Sequence, residues 1–349
     1  MIEWLGKNIA LLNEDIGQAA RAHQSQLTKP VGSLGMLEDL AIRLCSMQHT
    51  LNPKVDEVAI VIFAADHGVA VEGVSAFPQT VTVEMMKNFS NGGAAICVMA
   101  ENLNASFSVV NMGAASQAPQ SEKIIQRPVA AGTQNFCEKP AMSEKQLREA
   151  FEVGSDIGDQ LREEACELFV AGEMGIANTT SAAALACALL QQPPHELVGL
   201  GTGVNELGRQ RKISAVSRAL DLHRNELSDP LSILRTLGGF EIAAIVASYL
   251  RCAQLGIPCL VDGFICSVAA LLAVRINPLC RLWLVFSHQS AELGHERVLL
   301  ALEARPLFDL DLRLGEGSGA ALAVPIIRTA CDLHNRMASF SDAGVSVIL

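Results

Sequence analysis

Two carboxylates stand in unusually bare surroundings. Glu173 belongs to Gly172-Glu173-Met174-Gly175, read as a turn, and Glu316 to Gly315-Glu316-Gly317-Ser318-Gly319. Glycine-rich turns let the backbone approach a ligand closely. A carboxylate beside a bound phosphate would repel it, so a ligand at either turn is not anionic at that point. The plainer alternative is that each acid is a solvated turn residue or a helix cap. As a pair, the two could flank one reacting centre as acid, base or stabiliser of a developing cation.

An anion has a separate candidate site. Gly201-Thr202-Gly203 leads into Arg209, Arg211 and Lys212 on a helix. Backbone N–H groups at a helix N-terminus bind phosphate readily. A solvated basic helix face accounts for the same residues equally well. His67 beside Asp66, and His288, invite a hydrolase triad, but no GxSxG elbow accompanies them, which favours structural or binding roles. No HExxH or comparable metal-ligand spacing occurs. Gly315-x-Gly317-x-x-Ala320 formally fits a dinucleotide fingerprint, yet the following strand and distal acid are missing. The P-loop and the Asp-Asp loop of enzymes that use phosphoribosyl pyrophosphate are also missing from the sequence.

The elements that must hold these residues alternate. Residues 2–27 look helical, and Met36–Gln48 form an amphipathic helix. Glu57–Ala65 is a continuous apolar run ending in Asp66-His67-Gly68, the pattern of a strand buried on both faces. A helix from about Thr80 and a strand over Ser106–Asn111 follow. Ser143–Glu167 is a long amphipathic helix, opened by a Ser143/Gln146 capping box. Leu168–Ala171 is a strand, Asn178–Leu190 an Ala-rich helix, and Leu197–Leu200 runs into Gly201-Thr202-Gly203. Cys259–Val261 and Leu282–Phe286 are further strands. Strand–helix alternation predicts an α/β fold with a parallel sheet, whose ligands bind at the strand C-terminal ends. Residues 1–50 and 320–349 show little strand character and are expected to form a small discontinuous helical domain. Residues 51–319 are expected to form the large α/β domain that carries the site.

The 349 residues are half apolar and only 4% aromatic, with a formal net charge of −11. That suits α/β packing and gives no general footprint for nucleic acid or an anionic membrane surface. Any phosphate must be held by a local site. Ten cysteines are scattered without a CxxC pair, so they read as buried unpaired thiols in a reducing compartment. The N-terminal stretch lacks a signal-peptide pattern, and Ile265–Val274 is too short to span a bilayer. The chain is expected to be cytoplasmic.

Six segments together resemble one family: Leu27–Gly35 (LTKPVGSLG), Ala65–Gly68 (ADHG), Gly172–Thr180 (GEMGIANTT), Gly238–Glu241 (GGFE), Val261–Phe264 (VDGF) and Arg313–Ala320 (RLGEGSGA). In order and length they are similar to the nicotinate-nucleotide–dimethylbenzimidazole phosphoribosyltransferases, across essentially the whole chain. The resemblance implies a homodimer with a Rossmann-like large domain and a small helical domain from both termini. It implies transfer of the phosphoribosyl group of nicotinate mononucleotide to 5,6-dimethylbenzimidazole or a related base, with no cofactor and no metal. Glu316 falls on the family's catalytic base. The same chemistry suits Glu173 to stabilise charge. Gly175, Gly201, Thr202, Lys212, Ser290 and Gly315 are then expected around phosphate and ribose. Phe77, Glu84, Met85, Met174 and Leu314 are expected around the base. Ala131 stands where the family has an arginine, and Phe77 and Glu84 where some members have tyrosine and glutamine; these bear on the choice of base. Two other classes stay open: a glycosidase of the same fold transferring the ribosyl group to water, and a nucleotide sensor that binds without turnover and does not need Glu316.

Overall fold

The computed structural model describes residues 2–201 and 203–346. After a 3₁₀ turn at Glu3–Gly6 come helices α1 (Glu14–Gln26) and α2 (Met36–Gln48), then strand β1 (Val58–Ala65). Next are α3 (Thr80–Ser90), α4 (Ala95–Leu103), β2 (Ser106–Gly113), β3 (Ile124–Gln126), α5 (Glu144–Glu163) and β4 (Leu168–Met174). Helices α6 (Asn178–Leu190), α7 (Pro194–Leu197), α8 (Glu206–Leu222), α9 (Pro230–Leu237) and α10 (Phe240–Leu255) lead to β5 (Cys259–Val261). The chain closes with α11 (Phe264–Ile276), β6 (Leu284–Phe286), β7 (His288–Gln289), α12 (His295–Ala301), β8 (Phe308–Asp309), α13 (Ser318–Arg336) and α14 (Phe340–Ala343).

Six strands form one parallel sheet in the order β3-β2-β1-β4-β5-β6. This is the doubly wound order, and its switch point lies between β1 and β4, where such sheets open a ligand crevice. All eight residues of β1 are buried, as its unbroken apolar run requires when helices cover both faces. The capping box at the start of α5 forms as the sequence indicates, with Ser143 accepting from the Gln146 amide and Gln146 accepting from the Ser143 amide.

Two sequence expectations change. Residues 2–27 are not one helix: the Ala10 N–H donates to the Ala253 carbonyl and the Trp283 indole donates to the Ala10 carbonyl, so this stretch is pinned extended until Asn13 caps α1. Leu197 ends a short helix, Pro194–Leu197, ahead of the Gly201 turn. Glu173 is not in a turn: β4 runs on to Met174, with Phe63 paired to Glu173 and Ala64 to Met174, because the longer β1 offers partners that far.

The two ends of the chain meet. Gln24 and His334 hydrogen-bond at 2.8 Å, the His23 ring contacts the His334 carbonyl at 2.9 Å, and Leu27 bridges to Ser339. All ten cysteines are free thiols. Among the described residues, no helix is long and apolar enough to cross a membrane.

Candidate active site

A cavity of about 500 Å³ opens at the C-terminal ends of β4 and β5. Its walls include Glu173, Asp262 and Glu316 at one part, Lys212, Ser290 and Glu292 at another, and the apolar Phe77, Met85, Met174 and Leu314.

Glu173 reaches this place as the second-to-last residue of β4. The chain then turns through Gly175-Ile176-Ala177, where Ala177 is left-handed at φ 76°, and α6 begins with Asn178. The Asn178 side-chain amide donates to the Glu173 carboxylate. Glu173 is 5% exposed, and burial holds its pKa well above the usual carboxylate range; Glu241, Asp262 and Glu316 push in the same direction, and the Glu316 backbone amide opposes them.

Glu316 sits in three successive left-handed residues: Gly315 at φ 83°, Glu316 at 61° and Gly317 at 73°. For glutamate this conformation costs roughly 1–2 kcal/mol, so the surroundings must impose it. The glycines show how. A Cβ on Gly172 would come within 2.7 Å of the Glu316 carbonyl carbon, and one on Gly315 within 2.3 Å of a Glu173 oxygen. The loop therefore lies directly on β4, before α13 starts with Ser318, whose hydroxyl donates to the Gly315 carbonyl at 2.7 Å. Burial, then Asp262, raise the Glu316 carboxyl to about 7. A carboxylate poised there accepts protons well at neutral pH.

Asp262 follows β5 and accepts the Ala320 N–H at 2.9 Å, which ties α13 to the sheet edge. With three carboxylates on its wall, this part of the cavity suits a cationic group.

Lys212, on α8, is 2% exposed and donates to the Thr179 hydroxyl at 2.9 Å. Burial lowers it to about 8, against the pull of Glu292. A Cβ on Gly201 would lie 2.8 Å from its Nζ, so Gly201 backs the ammonium without lining the cavity. Thr202 lies outside the described residues. Only Lys212 of the basic cluster turns inward. Arg209 donates to the Val198 and His195 carbonyls, and Arg211 donates to the Gly73 carbonyl.

Of the residues singled out in the sequence, Glu173, Gly175, Lys212, Ser290, Gly315 and Glu316 line the one cavity, as do Phe77, Met85, Met174 and Leu314. Glu84 does not: on α3 the turn that brings Met85 inward leaves Glu84 exposed. His67 is fully buried and bonded to Glu241 at 2.6 Å, away from the cavity wall. His288 does line it, with its Nδ1 2.9 Å from the Ser287 hydroxyl and its ring stacked on Phe308. Sequence reasoning did not assign Asp262, Asn178, Thr179 or Glu292 to the site. Asp262 at a strand end carried a usable signal; Glu292 carried none.

Comparison with known proteins identifies the family. A family model described as a phosphoribosyltransferase matches residues 9–345. The chain is 54% identical over 327 residues to a nicotinate-nucleotide–dimethylbenzimidazole phosphoribosyltransferase of Pseudomonas putida, covering 94% of this chain and 93% of that one. It is 53% identical over 344 residues to the enzyme of that name from Xanthomonas axonopodis pv. citri, covering 99% of each. A crystal structure of the Thermus thermophilus enzyme of that name superposes with a TM-score of 0.91 at 42% identity, covering 97% of this chain and 100% of that one. The chain belongs to the nicotinate-nucleotide–dimethylbenzimidazole phosphoribosyltransferase family.

Proposed function

We propose that the cavity beside β4 and β5 is where this chain carries out its family's reaction. The 5-phosphoribosyl group passes from nicotinate mononucleotide to 5,6-dimethylbenzimidazole. The products are α-ribazole 5′-phosphate and nicotinate, and the product supplies the lower ligand of cobalamin. The observation that carries the reading is the placement of a buried, strained carboxylate, Glu316, across one cavity from a buried lysine, Lys212.

One ring nitrogen of the base attacks the anomeric carbon. The bond from that carbon to the nicotinate nitrogen breaks, and its electron pair returns to the pyridinium, which becomes neutral. The base is now cationic, so the proton on its other nitrogen is acidic, and Glu316 takes it. No acid is needed for the leaving group. Positive charge spreads over the ribose as the old bond lengthens. Glu173, with Asn178 fixing its carboxyl, stabilises that charge once the cationic mononucleotide has drawn it into its ionised form. Lys212 and Ser290 hold the phosphate, with Gly201 behind the Lys212 ammonium and Gly175 and Gly315 against the ribose. Phe77, Met85, Met174 and Leu314 enclose the flat base. Glu84 is left out of the base pocket because its side chain faces solvent.

We read the chain further as a cytoplasmic homodimer built from a large α/β domain, 51–319, and a small helical one, 1–50 with 320–349. Support for the small domain is the pairing of α1 with α13 through Gln24 and His334. Support for the dimer is the half-exposed apolar rim of Phe77 and Leu314 at the cavity. Sedimentation that finds only monomer at micromolar concentration removes the dimer.

The test of function is mass spectrometry of products formed from nicotinate mononucleotide with a panel of bases. Formation of α-ribazole 5′-phosphate with dimethylbenzimidazole is expected. Release of ribose 5-phosphate regardless of base would identify a glycosidase, and binding without any product a sensor.

A further inference from the structure

Behind Ser290 lies a buried hydrogen-bonded chain that the reaction scheme does not use. The Ser290 backbone N–H points at His295 Nδ1, 2.7 Å away. On the far side of the ring, Nε2 is 2.9 Å from the Ser267 hydroxyl, and Ser267 reaches the Asp262 carbonyl at 3.3 Å. Ser267 and His295 are fully buried. The Phe264 and His288 rings meet the imidazole edge-on, with centroids 6.5 and 6.3 Å away.

Proton positions follow from donor and acceptor rules alone. An amide can only donate, so Nδ1 must be an acceptor and carry no proton. The ring proton is then on Nε2 and is donated to Ser267. Ser267, having accepted it, donates its own proton to the Asp262 carbonyl, which can only accept. Every direction in the chain is fixed. Burial agrees, since it holds His295 near 3 and disfavours a second ring proton.

Ser290 is left with one free group. Its amide is taken by His295, and its Oγ accepts the Glu292 N–H at 3.3 Å. The hydroxyl proton has no acceptor among the described residues, and Ser290 lines the cavity. We propose that His295 is a positioning residue of the phosphate subsite, which holds the Ser290 amide back so that Ser290 offers an anion its hydroxyl and not its backbone. This rests on the reading of Ser290 as a phosphate contact. His295 itself touches no ligand.

A double-mutant cycle with nicotinate mononucleotide tests it. Ser290→Ala should raise the KM for the mononucleotide about tenfold, the loss of one hydrogen bond to a charged group, and leave kcat and the KM for the base nearly unchanged. His295→Phe keeps a ring but removes the acceptor. It should cause the same selective rise, and the double variant should be no worse than Ser290→Ala alone. His295→Asn, whose side-chain oxygen can stand in for Nδ1, should recover most of the affinity. In ¹⁵N spectra of the wild-type protein, Nδ1 of His295 should be unprotonated and Nε2 protonated from pH 5 to 9.

If Ser290→Ala leaves the mononucleotide KM unchanged, the phosphate-subsite reading falls and takes the inference with it. If Ser290→Ala acts but His295→Phe does not, or the two rises multiply, only the positioning role is overturned; the opposite tautomer also overturns it. Should His295→Phe fail to fold by circular dichroism, Ser267→Ala takes its place. It removes the group that holds the Nε2 proton, and the same coupling to Ser290 is required of it.

Discussion

Glu316→Gln separates the two consequences of burying a carboxylate. The substitution preserves shape and backbone preference, so the left-handed φ of 61° is as costly after it as before. It removes only the ability to ionise and take a proton. The folded protein holds Glu316 at about 7 against an ordinary 4.5. A carboxyl raised on folding is favoured in its protonated form, so its contribution to stability is complete below about pH 4.5 and is lost as pH rises through 7. At about 1.4 kcal/mol per unit, ionised Glu316 costs the wild type up to about 3 kcal/mol at pH 8. The glutamine variant escapes that cost. Urea unfolding should therefore show it gaining about 2.5 kcal/mol on the wild type between pH 5 and pH 8, roughly 3 °C in Tm for a chain of this length. Over the same interval its kcat, followed by chromatography of α-ribazole 5′-phosphate, should lie about 10²–10⁴ below wild type. Wild-type kcat/KM, which reports the free enzyme, should fall about tenfold per pH unit below 7. A variant that turns over within tenfold of wild type refutes the base. A stability difference that is the same at pH 5 and pH 8 refutes the account of its burial.

Lys212→Ala should raise the KM for nicotinate mononucleotide about ten- to a hundredfold with little effect on the base; in the wild type that KM should climb as pH rises through about 8, where the buried ammonium loses its proton, and the variant should lack this climb. Glu173→Gln should lower kcat less than Glu316→Gln, since Glu173 stabilises charge without moving a proton; the reverse ranking in the same assay exchanges their roles. Gly315→Ala combines a left-handed φ of 83° with a Cβ 2.3 Å from a Glu173 oxygen, so kcat should fall with global stability reduced by only about 1–2 kcal/mol, read by urea unfolding. Glu241→Ala strands His67, fully buried and bonded to Glu241 at 2.6 Å, and should cost about 1–3 kcal/mol in the same unfolding assay.

Local pattern decided a good part of this protein. The unbroken apolar run of β1 declared a strand covered on both faces, Met36–Gln48 and Asn178–Leu190 fold as the helices their sequences describe, and Ser143 with Gln146 fixed the start of α5. These are choices made within a few residues, by burial periodicity and by a side chain competing for a nearby amide. The glycines around Glu316 marked a close approach of backbone; that it is made against β4, with the loop left-handed, only the structure shows.

Other features depended on partners far away in the chain. The extension of residues 7–13 is set by Ala253 and Trp283, and the strand conformation of Glu173 by the length of β1 across the ladder. Helical geometry turned Lys212 inward while Arg209 and Arg211 went to carbonyls outside the cavity. The tautomer of His295 comes from an amide at 290 and a hydroxyl at 267, which the fold brings to the two nitrogens of one ring. Charge states follow the same division. A sequence shows that Glu316 is an acid, but its rise to about 7 comes from removal of water and the approach of Asp262, and neither exists until the sheet brings the end of β5 beside the loop before α13.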